Sequence, residues 1–204
     1  QQHEDHYCPA DRFPFAYAES TDHNSGKTDA ILKRPDTDPL VIHTQTSTEY
    51  WQRRGSLVHT DTQGNDLAEP EGVRIYHWSA SQHTADPRQQ APRKAVTDNF
   101  LNIAQTSMLF RAHLDALDKW ATDGVEPPPS RIPRVSDGTL VPYEEWRGQH
   151  PSIPTKAIPQ EPNQLPYMDF GPDEADGVLA KEPPDIIAEH GYTILVPAVD
   201  ADGN

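Results

Sequence analysis

Two short apolar segments, separated by a single predicted helix, constrain the fold of this chain more than any other feature. Residues 40–44 and residues 72–78 are rich in β-branched and aromatic side chains, and each predicts a strand. Between them, Ser47 or Thr48 is placed to cap a helix that runs from about residue 49 to about residue 58. The order strand, helix, strand predicts a right-handed crossover between two parallel strands.

A parallel sheet is buried on both faces and needs several strands, whereas these segments supply two. Hydrophobic residues make up 34% of the chain, which is low for a globular domain. We therefore expect an α/β fold in which this chain is the C-terminal part of a larger sheet. The remaining strands are expected upstream or in another chain.

Proline divides the chain into two parts, because 14 of the 21 prolines lie in residues 126–204. Residues 1–125 hold the predicted strands and a helix predicted over 98–122, with Thr97 or Asp98 as its cap and Gly124 at its end. Residues 126–204 are predicted to form a Pro-rich extended segment that packs on the first part, with a strand at 192–196. A disordered tail is the alternative.

The charge and the cysteine content exclude several classes of partner. With 17 basic and 32 acidic residues the net charge is −15, which argues against nucleic acid or an anionic membrane surface. No apolar run is long enough to span a membrane. The chain has one cysteine, so it cannot form a disulfide within itself. We expect no cofactor and no metal. Residues of the types that bind metals cluster near the start, but no second pair of ligands follows them at the spacing of a zinc finger. The members of this cluster are His3, Glu4, Asp5, His6 and Cys8.

Reactive side chains follow both predicted strands, where a parallel sheet places its active sites. Glu49 comes after the first strand and His83 after the second. An acid and then a histidine at the ends of consecutive strands predict the last two members of a hydrolase triad. Asp61 and Asp86 are the rival acids, and Cys8 is a rival nucleophile.

Aromatic and imidazole side chains also lie near the strand ends. Tyr50, Trp51 and Trp78 are predicted to line an acyl or alcohol pocket, with a role as core aromatics as the alternative. His43 and His77 lie within the predicted strands and are expected to be buried, hydrogen-bonded core histidines.

Two long motifs carry a family resemblance. Residues 48–61 (TEYWQRRGSLVHTD) and residues 72–83 (GVRIYHWSASQH) resemble a bacterial and fungal family of α/β-hydrolase-domain proteins that are regarded as serine esterases. Similarity extends over almost the whole chain and corresponds to the C-terminal half of that family. The resemblance implies that Glu49 is the triad acid and His83 the general base.

Two departures from the family pattern affect the expected function. A glycine usually follows the histidine in the family, whereas residues 84–87 here read TADP, which affects the expected pocket shape. No Gly-x-Ser-x-Gly occurs in the 204 residues, so the resemblance implies that the nucleophile belongs to an N-terminal half of the same protein or a second chain. That half and a small-molecule ester are the expected partners. The alternative is a catalytically inactive hydrolase-like binding or structural module.

Overall fold

The computed structural model describes residues 11–83, 88, 91–94 and 98–200. Its strands are β1 (Ser20–Thr21), β2 (Thr28–Asp29), β3 (Val41–Thr46), β4 (Val73–Trp78), β5 (Leu140–Val141), β6 (Tyr167–Asp169), β7 (Asp185–Ala188) and β8 (Val196–Pro197). Its helices are α1 (Ser47–Gln52), α2 (Ser107–Asp123) and α3 (Tyr143–Gln149), with 3-10 turns at Gly55–Val58 and Glu174–Asp176.

Strands β3 and β4 are parallel, and they form the part of the fold that positions the candidate site. Val41 lies opposite Val73, and the register continues to Thr46 opposite Trp78. The predicted parallel pair is thus confirmed, with β3 starting one residue later and ending two residues later than expected. The other pairs among the described residues are antiparallel and have two to four residues per strand, in the order β1-β2, β5-β8 and β6-β7.

The prediction of a single helix over residues 49–58 is wrong, because the chain forms α1 and then a separate 3-10 turn. Arg54, between them, has φ 56°, which a continuous right-handed helix does not allow. Its guanidinium is buried, forms an ion pair with Asp11 at 3.1 Å and donates to the Gln164 carbonyl at 3.1 Å. The N-cap of α1 is Thr46 rather than Ser47 or Thr48.

Helix α2 is shorter than predicted, since it begins at Ser107 with Thr106 as N-cap rather than near residue 98. Asn102 explains part of this difference: its carboxamide oxygen accepts from the Ala104 N–H at 2.8 Å, a local turn that competes with helix. Gly124, with φ 69°, ends the helix as expected.

Helix α2 contacts β4, but several apolar side chains on the helix and just before it remain exposed. The Phe110 ring packs edge-on against Trp78 with centroids 4.5 Å apart, and His113 stacks on Tyr76 at 4.4 Å. Leu114 is nevertheless 68% exposed, and Met108, Phe110 and the preceding Phe100 are each more than half exposed. A helix with this much exposed apolar surface has not buried its whole apolar face within the described residues.

The edge of β4 that faces away from β3 is covered by the segment after α2. The His77 N–H donates to the Arg131 carbonyl at 2.7 Å, and the Arg131 N–H donates to the Ile75 carbonyl at 2.9 Å. Ser130 adds its hydroxyl as acceptor for the Ile75 N–H at 2.8 Å. Within the described residues β3 pairs with β4 alone, so there the small sheet is open only along β3.

The last described part of the chain packs on α1 and the 3-10 turn after it. The Asn163 N–H donates to the Trp51 carbonyl at 2.8 Å, and the Leu195 N–H donates to the buried Ser56 hydroxyl at 3.1 Å. One apolar cluster joins the two regions through Leu57, Leu165, Tyr192 and Ile194. The strand predicted at 192–196 is present only as β8, which pairs with β5.

In the described ranges of the chain, none of the helices has the length and apolar character needed to cross a membrane.

Candidate active site

Glu49 and His83 meet where β3 and β4 end. Glu49 Oε1 lies 2.5 Å from His83 Nδ1, although the residues are 34 positions apart in sequence. Parallel pairing brings this about, because it places the segments after Thr46 and Trp78 at the same end of the sheet. The structure therefore brings the predicted acid and the predicted histidine into direct contact.

The second oxygen of Glu49 is held by Thr46, the N-cap of α1. The Thr46 N–H donates to Glu49 Oε2 at 2.6 Å, and the Thr46 hydroxyl donates to the same oxygen. Burial raises the pKa of Glu49, but hydrogen bonds from Thr46 and His83 outweigh it and the net shift is downward. Glu49 is thus a fixed, ionised carboxylate. Thr46 holds its Oε2, and its Oε1 faces the histidine.

Sequence reasoning missed Thr46 as a positioning residue. The signal was present, because Thr46 followed three residues later by Glu49 is the capping-box pattern at a helix start. The caps predicted from the sequence were instead Ser47 and Thr48.

The loop after β4 presents the His83 ring. Ser81 ties this loop to α1, because its carbonyl accepts from the Ser47 N–H at 3.1 Å. The His83 N–H donates to the Thr48 hydroxyl at 3.1 Å, so the backbone of His83 is attached to the helix that carries Glu49. The His83 side chain is 58% exposed, and its Nε2 has no hydrogen-bond partner among the described residues. One ring nitrogen is therefore held, and the other has no partner within the described part of the chain.

A close backbone approach fixes the position of α1 over β3. The Gln45 amide donates to the Gly55 carbonyl at 3.0 Å, in a site where Gln45 is 1% exposed. A Cβ at Gly55 would lie 2.1 Å from Gln45 Oε1 and 3.1 Å from the Glu49 carbonyl. Only glycine allows this spacing without movement of the segment that carries Glu49.

The rival acid Asp61 has a structural role. Its carboxylate accepts from the N–H groups of Gln63 at 2.9 Å and Asn65 at 2.8 Å, as expected of an aspartate that stabilises a turn. Asp86 and Cys8 lie outside the described residues.

The candidate metal cluster at residues 3–8 also lies outside the described residues. Within the ranges that the structure does describe, no group of three or more His, Cys, Asp or Glu side chains is arranged to hold a metal ion.

The three aromatic residues that were predicted to line a pocket have different environments. Tyr50 has no exposed surface, and its hydroxyl bonds to His59 Nε2 at 2.9 Å, which makes it a core residue. Trp78 is 8% exposed and packs against α2. Trp51 lies at a cavity of about 280 Å³, with its ring in edge-to-face contact with that of Trp146.

Three histidines lie in or near the core beneath the Glu49–His83 pair. His43 Nδ1 is 2.9 Å from the Tyr17 hydroxyl, and burial lowers the pKa of His43. Burial also lowers the pKa values of His59 and His77, each to about 4. His43 is hydrogen-bonded but only partly buried, so the expectation of a buried, hydrogen-bonded histidine holds in part for His43. It is wrong for His77 Nε2, which is buried and has no partner among the described atoms.

A model of the alpha/beta hydrolase domain matches residues 4–204. The chain belongs to the alpha/beta hydrolase domain family. Searches of curated proteins and of solved structures gave no significant match. Family membership agrees with the location of the Glu49–His83 pair, because doubly wound α/β sheets place ligands and reactive groups beyond the carboxyl ends of their strands.

In this alpha/beta hydrolase domain, the pair has the chemistry of an oriented general base. A carboxylate on Nδ1 fixes the imidazole as the tautomer with hydrogen on Nδ1, which leaves the Nε2 lone pair to accept a proton. Of the residues predicted for the site, Glu49 and His83 are together, Trp51 lies on a nearby cavity, and Tyr50 and Trp78 lie in packed regions.

Proposed function

We propose that this chain supplies the acid and the general base of a serine hydrolase that cleaves carboxylic esters. The observation that carries the proposal is the 2.5 Å contact between Glu49 Oε1 and His83 Nδ1, with the His83 side chain 58% exposed. In this assignment Glu49 orients the imidazole and stabilises the imidazolium that forms during the reaction.

The proposed reaction has two halves. A serine hydroxyl attacks the ester carbonyl while His83 Nε2 takes the hydroxyl proton, and His83 then gives that proton to the departing alcohol oxygen. Water next attacks the acyl-enzyme, again with His83 as base, and releases the carboxylic acid and the free serine. Glu49 stays ionised throughout, in keeping with its lowered pKa.

We propose that the serine belongs to a part of the protein outside these 204 residues. The Gly-x-Ser-x-Gly turn that carries the nucleophile in this fold is absent from the sequence. Two features of the described residues support further strands and helices beside this sheet. Strand β3 pairs with β4 on one side and with no described strand on its other side. Helix α2 carries exposed apolar side chains such as Leu114.

The test is an ester-hydrolysis assay on the whole protein, together with labelling by a fluorophosphonate that reacts with activated serines. We expect hydrolysis of short-chain p-nitrophenyl esters, and an adduct on a serine outside residues 1–204. The His83→Ala variant is expected to lose both hydrolysis and labelling, because the serine is then not deprotonated. A matched control is His190→Ala, at a mostly exposed histidine on the far part of the chain.

Hydrolysis that is undiminished in His83→Ala would overturn the assignment, as would an adduct on a serine within residues 1–204. Absence of both hydrolysis and labelling in a folded whole protein would favour the alternative, a hydrolase-like module that binds without catalysis.

A further inference from the structure

We infer that the cavity beside the contacting rings of Trp51 and Trp146 is a binding site for a small aromatic carboxylate. This inference does not depend on ester hydrolysis, because it concerns a cavity lined by residues other than Glu49 and His83. We call it the Trp51–Trp146 cavity, and it is formed where α1, α3 and the segment after β8 meet.

The walls of the Trp51–Trp146 cavity are suited to a flat apolar group. The two indole rings lie with centroids 4.6 Å apart and planes at 73°, so together they form an aromatic corner. Pro159 and Pro197 contribute further apolar surface. The volume, about 280 Å³, accommodates a single-ring ligand rather than a large molecule.

Lys156 gives the Trp51–Trp146 cavity its charge. The other residues that line the cavity are uncharged, apart from the histidines. Of these, His77 is neutral at pH 7, because burial lowers its pKa to about 4. The ammonium lies 3.3 Å from His150 Nε2, while His150 Nδ1 is 2.8 Å from the Pro151 carbonyl. His150 therefore donates from Nδ1 to that carbonyl and accepts from Lys156 at Nε2.

This arrangement leaves Lys156 without an anion. No carboxylate lies within 4 Å of its ammonium among the described residues, although the chain as a whole carries a charge of −15. An ammonium presents three donors, and one of them is directed to His150. The remaining donors, with the hydroxyls of Ser47 and Ser79 on the same lining, fit a ligand carboxylate.

The experiment uses the whole protein, with benzoate as the probe and benzamide as its uncharged analogue. Binding is measured by calorimetry and located by the indole N–H signals of the tryptophans in nuclear magnetic resonance. We expect benzoate to shift the signals of Trp51 and Trp146, and to bind roughly tenfold more tightly than benzamide, the size of one charge-assisted contact.

Lys156→Met is expected to weaken benzoate binding by roughly tenfold while leaving benzamide binding unchanged. Lys156→Arg keeps the charge and is expected to bind benzoate as the natural protein does. Lys119→Met is the matched control, since it removes the same charge from the exposed side of α2, where Lys119 pairs with Asp115.

Equal affinity for benzoate and benzamide would overturn the inference, and so would unchanged benzoate affinity in Lys156→Met. No benzoate binding at all, or shifts confined to Trp78 and Trp120, would overturn it as well. Each of these outcomes is independent of whether the protein hydrolyses esters.

Discussion

Glu49 Oε1 lies 2.5 Å from His83 Nδ1, and the same carboxylate is held from its other side by Thr46. The last residue of β3 thus positions the acid, the acid positions the histidine, and the histidine is attached through its N–H to Thr48 of the same helix. Rotation of any one side chain breaks a hydrogen bond to another, so the pair is held as a unit.

Replacement of Glu49 by glutamine tests the role of the carboxylate. We expect kcat for short-chain esters to fall about 10²–10⁴-fold in the whole protein, because an amide neither stabilises the imidazolium nor fixes its tautomer. KM and the unfolding midpoint should change little, since glutamine has almost the same shape. Asp61→Asn is the matched control at the rival acid, and an equal loss of kcat in both variants would contradict the assignment.

Removal of the Thr46 hydroxyl tests the support behind Glu49. Thr46→Val deletes a donor to Glu49 Oε2 and keeps the shape and the backbone N–H. The pKa of Glu49 should rise, which a carbon-13 NMR titration of its side-chain carboxyl measures directly. The loss of a helix-start hydrogen bond should also cost about 1 kcal/mol of the free energy of unfolding.

Thr122→Val is the control for this variant, because it removes an exposed threonine hydroxyl near the end of α2. We expect it to leave the pKa of Glu49 unchanged. A Glu49 pKa that is the same in Thr46→Val and the natural protein would mean that the hydroxyl does not affect the ionisation of Glu49.

Addition of one methyl group at Gly55 should destabilise the protein. A Cβ there meets Gln45 and the backbone of Glu49, so Gly55→Ala should lower the free energy of unfolding by about 1–3 kcal/mol and also reduce kcat. Gly148→Ala in α3 is the matched control, because a Cβ there meets no atom within 4 Å and the helix favours alanine. Denaturant unfolding should show this variant equal to, or about 0.5–1 kcal/mol above, the natural protein.

Stability should fall as the pH falls from about 6.5 toward 4. Burial lowers the pKa of His59 from 6.5 to about 4, so in this window the unfolded chain binds a proton that the folded chain does not. The contribution of neutral His59 to the free energy of unfolding is fully present above the pKa that this histidine has in the unfolded chain. It is lost progressively below that pH, by on the order of 3 kcal/mol in total. Burial of His43 and His77 acts in the same direction.

Denaturant unfolding at a series of pH values checks this expectation. His59→Gln should lower stability at neutral pH, because Tyr50 loses its partner, and should make the dependence on pH between 4 and 6.5 less steep. Ser56→Ala is the control, since it removes the hydroxyl that accepts from the Leu195 N–H without removing a titrating group. Equal slopes in all three proteins would contradict the burial of a neutral His59.

The sequence was sufficient for the elements whose signals are local. Residues 73–78 are β-branched and aromatic, and Gly124 ends α2 with a left-handed conformation, so both were predicted closely. The pairing of Glu49 with His83 followed from chain order and from where parallel strands end. These features depend on short stretches of sequence, or on a topological rule that applies to every parallel pair.

Other features depend on contacts that are distant in sequence and could not be predicted. The break after α1 is stabilised by Arg54, whose partners are Asp11 and the Gln164 carbonyl. The sequence left a pocket and the core both open for Tyr50, and the structure buries it against His59, which follows it by nine positions. The Trp51–Trp146 cavity joins segments from both halves of the chain, and no local pattern brings Lys156 to it.

The pairing of Arg131 with β4 has a consequence for self-association. An uncovered parallel edge is a template on which another copy can add a strand, and natural proteins avoid this by covering or charging such edges. Here the N–H of His77 and the N–H and carbonyl of Ile75 are already bonded to Ser130 and Arg131. Edge-to-edge aggregation through β4 is thereby blocked by the chain's own backbone, and within the described ranges only the β3 edge is open to a further strand.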